Sequence, residues 1–175
     1  MTRLVRAWLS IGFLVGGLAV WAQAGAVTDG LRVGQRPPAF SAMDLRGEVH
    51  SLKQHRGKII VLHFWATWCP YCRGEIPKLL QVHRELSSKG VTVLAVSVDD
   101  DLSKLRQFVA AAALPYTVIP EVQLSVPLTE TFRVRGLPTT YFVARDGLVA
   151  DRVVGASDLL GEVRRLLEQS PEPPT

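Results

Sequence analysis

The chain has 175 residues, of which 47% are hydrophobic and 21% are charged. This size and balance exclude a disordered chain, a fibrous repeat and a multi-domain enzyme, and predict one globular domain with short extensions. The formal net charge is +4, but two of the basic residues, Arg3 and Arg6, lie ahead of every acidic residue. Because no basic run stands out in the remainder, we expect no binding to nucleic acid.

The first 24 residues are typical of a targeting segment. Two arginines precede an apolar run from Ala7 to Trp21, and Ala22-Gln23-Ala24 fits cleavage by signal peptidase before Gly25. The run is shorter than the roughly 20 residues of a membrane span, although its continuation through Val27 reaches that length. Residues 1–24 are therefore predicted to be either a cleaved signal peptide or an N-terminal membrane anchor. In both cases the rest of the chain is exported.

The rest of the chain is predicted to hold a linker at 25–36, one domain at 37–169 and a Pro-rich tail at 170–175. Continuous apolar, β-branched runs predict strands that are buried on both faces. In chain order, we expect a small hairpin within 40–52 and strands at 59–65, 91–98, 116–119, 139–144 and 148–154, the last two joined by the turn Arg145-Asp146-Gly147.

Helical spacing of apolar residues predicts the helices. The first helix follows Cys72, is expected to bend at Pro77, and ends near Gly90. Further helices are expected from Leu102, at 127–132 and from Leu159. Strands that alternate with helices pair in parallel, and the final hairpin adds an antiparallel edge. The predicted fold class is therefore a mixed α/β sandwich.

The chemistry of the chain centres on its two cysteines, in the sequence Cys69-Pro70-Tyr71-Cys72. The motif lies where the first buried strand ends and the first long helix begins. Three residues apart on a helical turn, two Cβ atoms lie roughly 5–6 Å apart, a modest adjustment from the roughly 3.5–4.5 Å of a disulfide. The first cysteine also meets unpaired N–H groups and the positive end of the helix dipole, which favour its thiolate. We interpret Cys69 as the attacking thiol and Cys72 as the thiol that resolves the mixed disulfide.

Two other roles for the cysteines compete with redox chemistry. A structural disulfide is compatible with export, but closing so short a loop constrains the unfolded chain very little. A metal site needs further ligands, and no His-x-x-x-His spacing occurs among His50, His55, His63 and His83. Only Met1 and Met43 offer thioether sulfur, which disfavours a methionine-rich copper site. Redox activity without a metal or a cofactor is the preferred interpretation.

The residues around the cysteines resemble a known superfamily. The stretch from Phe64 to Cys72 (FWATWCPYC), with Glu75 and Pro77, resembles the thioredoxin superfamily, and more narrowly the exported TlpA/ResA/DsbE group of bacterial thiol–disulfide oxidoreductases. Gly136-Leu137-Pro138-Thr139 matches the loop with a cis proline in that group. Residues 34–40 match its N-terminal hairpin.

The resemblance, which spans about residues 33–169, implies a thioredoxin fold: a central mixed sheet flanked by helices, with an N-terminal β-hairpin extension. It also implies that Pro138 is cis and lies beside the cysteines, and that the backbone of Leu137 pairs with an extended substrate segment. The expected substrate-binding rim around the first cysteine consists of Trp68, Pro70 and Tyr71. In purely structural roles, Trp68 would cap the core and Tyr71 would be a solvated helix residue.

Two ionisable residues near the motif are candidates for proton transfer. The resemblance implies that Glu75 corresponds to a glutamate thought to handle protons near the cysteines. Partial burial would raise the pKa of the Glu75 carboxyl and let the carboxylate accept the proton of Cys72. Alternatively, Glu75 stabilises the first turn of the helix. Thioredoxin itself carries a buried acid at the position of His63. We interpret His63 as a hydrogen-bonded core residue, the alternatives being a proton relay or a charged group that tunes the cysteines.

Two further segments depart from simple patterns. The run Asp99-Asp100-Asp101 precedes the second long helix and lacks the glycine and distant glutamate of a calcium loop, so we interpret it as a helix cap. At Glu121 to Ser125, relatives often carry an Asp-x-x-Gly turn that is missing here. We expect this difference to affect loop shape rather than chemistry.

The resemblance implies a disulfide reductase that faces the bacterial periplasm. Its partners would be client proteins with a cysteine pair or disulfide, such as apocytochrome c or copper-site proteins, and a membrane electron donor of thiol type. Two alternatives stay open: an oxidising disulfide donor for protein folding, and a non-enzymatic metal- or haem-handling chaperone with Cys69 and Cys72 as ligands. A thiol peroxidase is disfavoured because its Pro-x-x-x-Thr-x-x-Cys pattern is missing from the sequence.

Overall fold

The computed structural model describes residues 30–170. The predicted leader at 1–24, the start of the predicted linker and the tail beyond Ser170 lie outside the described residues. Within 30–170, no helix is both long enough and apolar enough to cross a membrane.

A two-stranded hairpin precedes the main sheet, as predicted. Strand β1 (Ser41–Met43) pairs antiparallel with β2 (Val49–Ser51). The turn between them requires a left-handed backbone, which Gly47 adopts at φ +87°. The N–H of Leu45 donates to the carbonyl oxygen of Val118 at 3.0 Å, and this bond attaches the hairpin to the edge of the main sheet.

A five-stranded mixed sheet forms the centre of the domain. Its strands are β3 (Ile59–Trp65), β4 (Val91–Ser97), β5 (Thr117–Pro120), β6 (Thr139–Val143) and β7 (Val149–Val154). They lie in the order β5-β4-β3-β6-β7, in which β3, β4 and β5 are parallel and each pairing that involves β6 is antiparallel. The predicted strands agree with these to within one residue at either end, and the predicted mixed sheet is confirmed.

Strand β3 is buried along its whole length because it lies in the middle of this sheet. Successive side chains of a strand point to opposite faces. On one face lie Ile59, Val61 and Trp65, and on the other lie Ile60, Leu62 and Phe64. The alternation puts His63 on the same face as Val61 and Trp65.

Within residues 30–170, four α-helices accompany the sheet: α1 (Pro70–Leu86), α2 (Leu102–Ala111), α3 (Leu128–Thr131) and α4 (Leu159–Gln169). Helices α1 and α4 pack against each other and against the face of the sheet that carries Val61 and Trp65. The opposite face is covered in part by α3 and the adjoining Phe132. Pro77 lies on the exposed side of α1, and the helix continues through it. The arrangement is the predicted one, a mixed sheet flanked by helices with an N-terminal hairpin.

Candidate active site

The two cysteines lie where β3 leads into the N-terminus of α1. Cys69 caps the helix, and its Sγ accepts a hydrogen bond from the backbone N–H of Cys72 at 3.2 Å. The side chains form a disulfide bond, with the two Cα atoms 5.2 Å apart. Cys69 is 6% exposed, whereas Cys72 is 0% exposed. Solvent and partners therefore reach only Cys69, and the helix N-terminus favours its thiolate once the pair is reduced.

A buried carboxylate holds the loop between β3 and α1. Asp99 is 4% exposed and accepts hydrogen bonds from the backbone N–H of Thr67 (3.0 Å) and from the Thr67 hydroxyl (2.5 Å). The hydroxyl of Ser97 donates to the same carboxylate at 2.6 Å. Asp99 thereby fixes the backbone just before Cys69.

The three aspartates of the run 99–101 have different roles. Asp101 is the N-cap of α2 and accepts hydrogen bonds from the backbone N–H groups of Ser103 and Lys104, both at 3.0 Å. Asp100 is exposed. The helix-cap interpretation is confirmed for Asp101 and wrong for Asp99, which anchors the cysteine loop instead.

The Leu137–Pro138 peptide bond is cis, as the resemblance implies. Pro138 is buried, and its carbonyl oxygen accepts a hydrogen bond from the N–H of Gly155 at 2.8 Å. The hydroxyl of Thr139 donates to the carbonyl oxygen of Gly136 at 2.7 Å. These bonds hold the proline loop at a groove that Leu137 shares with the cysteine motif.

A groove of about 500 Å³ opens beside Cys69. Trp68, Pro70 and Leu137 line it. Trp68 is 66% exposed, so the alternative that it caps the core is wrong. Tyr71 is 72% exposed on the first turn of α1, outside the groove. The other lining residues are Val98, Glu121, Thr129, Val134, Arg135 and Gly136.

One wall of the groove includes Glu121, from the segment whose departure from the Asp-x-x-Gly turn is expected to affect loop shape rather than chemistry. The carboxylate of Glu121 accepts hydrogen bonds from the backbone N–H (2.5 Å) and the hydroxyl (3.0 Å) of Thr129. This contact holds the loop after β5 against α3, next to the cysteine motif. No local sequence signal indicates it, because the two residues pair across an intervening loop.

Glu75 lies on the buried face of α1, beyond its first turn, and is 0% exposed. Its Oε1 accepts a hydrogen bond from the backbone N–H of Ser157 at 2.8 Å. Burial raises the pKa of the Glu75 carboxyl above its ordinary value, against smaller lowering effects of Ser157 and Lys78. A buried carboxyl of this kind is suited to exchange a proton with a nearby thiol. Its position does not support the alternative role as a stabiliser of the first turn.

His63 is 1% exposed, and its Nδ1 lies 2.9 Å from the hydroxyl oxygen of Thr140 on β6. Burial lowers the pKa of His63 to about 3, so the imidazole is neutral at ordinary pH. A buried, neutral imidazole does not support the alternative of a charged His63 that tunes the cysteines. Nδ1 also lies 3.9 Å from Oε2 of Glu75.

Among the described residues 30–170, the one group of three side chains with spacing suited to a metal ion is Asp44, Glu48 and His50, in the hairpin. Neither cysteine belongs to it. The guanidinium of Arg46 already lies 3.3 Å from Oδ2 of Asp44, and His50 lies at the same distance from that oxygen. The group therefore carries no argument for a metal at the cysteines.

Comparison with known proteins gives one consistent answer. The AhpC/TSA family matches residues 33–152. The chain is 30% identical over 125 residues to the thiol-disulfide oxidoreductase ResA of Bacillus cereus, covering 71% of each protein. It is 33% identical over 132 residues to ResA of Oceanobacillus iheyensis, covering 73% of this chain and 68% of that one. A thiol:disulfide interchange protein from Chlorobium tepidum superimposes with a TM-score of 0.67 at 27% identity, over 80% of this chain and 97% of that chain. The chain belongs to the AhpC/TSA family and is a thiol–disulfide oxidoreductase of the ResA/DsbE-like group within the thioredoxin superfamily.

Proposed function

We propose that this protein is an exported disulfide reductase in which Cys69 attacks a client disulfide and Cys72 resolves the product. The observation that carries the proposal is the inequality of the two cysteines. Cys69 caps α1 at the edge of an open groove, whereas Cys72 is 0% exposed behind it. An attacking thiol must reach a partner, while a resolving thiol needs to reach only its neighbour.

The reaction proceeds in two exchanges. The thiolate of Cys69 forms a bond to one client sulfur, the client disulfide breaks, and the second client sulfur leaves as a thiolate that takes a proton. The thiolate of Cys72 then bonds to Sγ of Cys69, and the first client sulfur leaves as a thiolate that also takes a proton. The client has gained two electrons and two protons, and the protein holds the disulfide. Because the cysteines carry the electrons, the cycle needs no bound cofactor.

The remaining site residues serve these exchanges. Trp68, Pro70 and Leu137 present an apolar groove to the client segment next to the reacting sulfur, and Tyr71 extends this rim on the exposed side of α1. The cis Pro138 holds the Leu137 backbone for pairing with an extended client strand. Glu75, one turn beyond the resolving cysteine, accepts its proton before the second exchange.

The proposed clients are apocytochrome c or copper-site proteins, and the proposed location is the periplasm. The predicted leader supports export, and the family supports a client that offers a cysteine pair or disulfide. The oxidised pair must be reduced again after each turnover. We therefore propose a membrane electron donor of thiol type, which the leader would meet at the membrane if it is kept as an anchor.

Trapping of mixed disulfides tests the two roles. Cys72→Ser leaves the attacking thiol without a resolving partner, so it should accumulate covalent complexes through Cys69, detected on non-reducing gels and by mass spectrometry. Cys69→Ser is the matched control and should trap none. Equal trapping by both variants would overturn the assignment. Stoichiometric copper binding without any reduction of insulin would favour a chaperone instead.

A further inference from the structure

Within the described part of the chain, the buried side chains of His63 and Glu75 each have one polar atom with a hydrogen-bond partner and one without. Nδ1 of His63 has Thr140 Oγ1 at 2.9 Å, and Oε1 of Glu75 has the N–H of Ser157 at 2.8 Å. Among the residues that the structure describes, His63 Nε2 and Glu75 Oε2 have no hydrogen-bond partner. Unpaired polar atoms in a buried position are costly, so each such atom calls for an explanation.

The two side chains face each other for a simple reason of register. His63 points to the face of β3 that α1 covers, and Glu75 lies on the side of α1 that faces the sheet. Glu75 Oε2 therefore lies 3.9 Å from His63 Nδ1. A movement of roughly 1 Å brings the two atoms to the separation of a hydrogen bond to a charged group, about 2.7–2.9 Å.

We propose that His63 is a positioning residue for Glu75 and acts through a neutral imidazole. When Glu75 is a carboxylate, Nδ1 of His63 donates a hydrogen bond to Oε2. When Glu75 is a carboxylic acid, Nδ1 accepts a hydrogen bond from Oε2–H. A neutral imidazole carries one proton, on Nδ1 in one tautomer and on Nε2 in the other. Because Nδ1 offers one hydrogen or one lone pair, Glu75 Oε2 shares it with the Thr140 hydroxyl in a three-centre hydrogen bond. That hydroxyl rotates to accept from Nδ1–H in one tautomer or to donate to Nδ1 in the other.

The proton balance is closed. In the acid form, the pair holds one proton on Glu75 Oε2 and one on His63 Nε2. In the base form, it holds a single proton, on His63 Nδ1, and the other has gone to solvent or to a neighbouring thiolate. His63 stays uncharged in both forms, consistent with its burial and with the lowering of its pKa to about 3.

Among the described residues, the other groups around Glu75 come from four elements. On α1 itself, Lys78 exerts a Coulombic effect on Glu75 and donates from Nζ to the carbonyl oxygen of Ser157 at 2.7 Å, and Cys72 lies one turn away. From β3 comes His63, from β6 Thr140, and from the loop before α4 Ser157. Of these, His63 is the group whose ring nitrogen faces Oε2, whereas the hydroxyl of Ser157 lies 3.5 Å from the other carboxylate oxygen, Oε1.

The inference rests on the proposed function for its biological meaning, since Glu75 is the proposed acceptor of the Cys72 proton. Its test does not depend on any reductase activity. In the oxidised full-length protein, with the leader in whichever state the producing cell leaves it, NMR follows the carboxyl carbon of Glu75 and the two ring nitrogens of His63 from pH 4 to pH 9. We expect one shared midpoint, at which the protonated nitrogen of His63 changes from Nε2 to Nδ1.

Three outcomes separate the proposal from a core histidine with no such role. A single His63 tautomer throughout the titration of Glu75 would overturn the proposal, and so would an imidazolium signal with both nitrogens protonated. In Glu75→Gln, which is uncharged at every pH, the change of tautomer should disappear; its persistence would also overturn the proposal. Loss of reductase activity with the coupled titration intact would contradict the proposed function alone.

Substitution of His63 tests the same pair through the protonation of Glu75. His63→Leu removes the donor to the carboxylate, so the ratio of protonated to ionised Glu75 at a given pH should rise about tenfold, because bonds to the charged form are the stronger ones. His63→Asn keeps a donor and an acceptor and should restore most of the wild-type ratio. Equal ratios in both variants would overturn the proposal. The wild-type and Glu75→Gln titrations decide the matter even if His63→Leu does not fold.

Discussion

Asp99 anchors the loop that leads into the cysteine motif, so substitution of Asp99 should destabilise this loop and the protein. Asp99→Ala removes the acceptor for three donors, the N–H and hydroxyl of Thr67 and the hydroxyl of Ser97. Each bond to a buried charged group contributes roughly 1.5–3 kcal/mol, and bonds that share one carboxylate are not additive. We therefore expect the free energy of unfolding to fall by about 3–5 kcal/mol. Asp99→Asn keeps one acceptor oxygen and should lose about half as much.

The assay is denaturant unfolding of the oxidised protein, together with the rate of insulin reduction. Asp100→Ala is the matched control, because this neighbouring carboxylate is exposed and its loss should change stability by about 0.5 kcal/mol or less. The reductase kcat/KM of the Asp99 variants should fall roughly tenfold or more, since the backbone before Cys69 loses its anchor. Equal stability of the Asp99→Ala and Asp100→Ala variants would refute the reasoning.

The remaining predictions concern the groups around the cysteines. Glu75→Gln should raise the free energy of unfolding more at pH 7 than at pH 4. Folding raises the pKa of the Glu75 carboxyl, so the wild-type protein loses stability as the pH rises from the unfolded pKa of 4.5 through the folded one. Thermal unfolding at both pH values measures this, and an equal effect at both contradicts it. As the pH falls from 6.5 to 5, the free energy of unfolding of the wild type should decrease by about 1.5 kcal/mol more than that of His63→Asn. In this range the imidazole takes up a proton only in the unfolded chain, because the pKa of His63 in the folded protein is about 3. Denaturant unfolding at the two pH values tests this, and parallel losses would exclude a buried neutral histidine. Trp68→Ala should slow reduction of insulin several-fold more than reduction of a small disulfide, since a ring this exposed offers a contact area that a protein client can cover and a small disulfide cannot; the ratio of the two kcat/KM values decides.

Much of the fold follows from short stretches of sequence. The run from Ile59 to Trp65 is apolar at nearly every position, which suits only the middle strand of a covered sheet, and it occupies that place. The cysteine motif after it indicates the strand-to-helix junction, where Cys69 caps α1. In these cases the residues that determine the structure are neighbours in the chain.

The features that sequence reasoning missed all join distant residues. Local rules assign Asp99 to a helix cap because they consider only the helix that follows it, whereas its partner Thr67 lies just beyond the end of β3. The contact of Glu75 with Ser157 and of His63 with Thr140 depends on how α1 and β6 align with β3. Such pairings follow from register and packing, which composition and periodicity do not determine.

The reduction potential of the Cys69–Cys72 pair tests the central claim most directly. Equilibration of the protein in thiol buffers, followed by mass-tagging of free thiols, gives the value, and Cys69→Ser provides the baseline without a disulfide. A potential near that of thioredoxin, roughly −270 mV, is the result that a reductase requires. A potential near that of DsbA, roughly −120 mV, would contradict the account, because the same two cysteines would then donate their disulfide to clients.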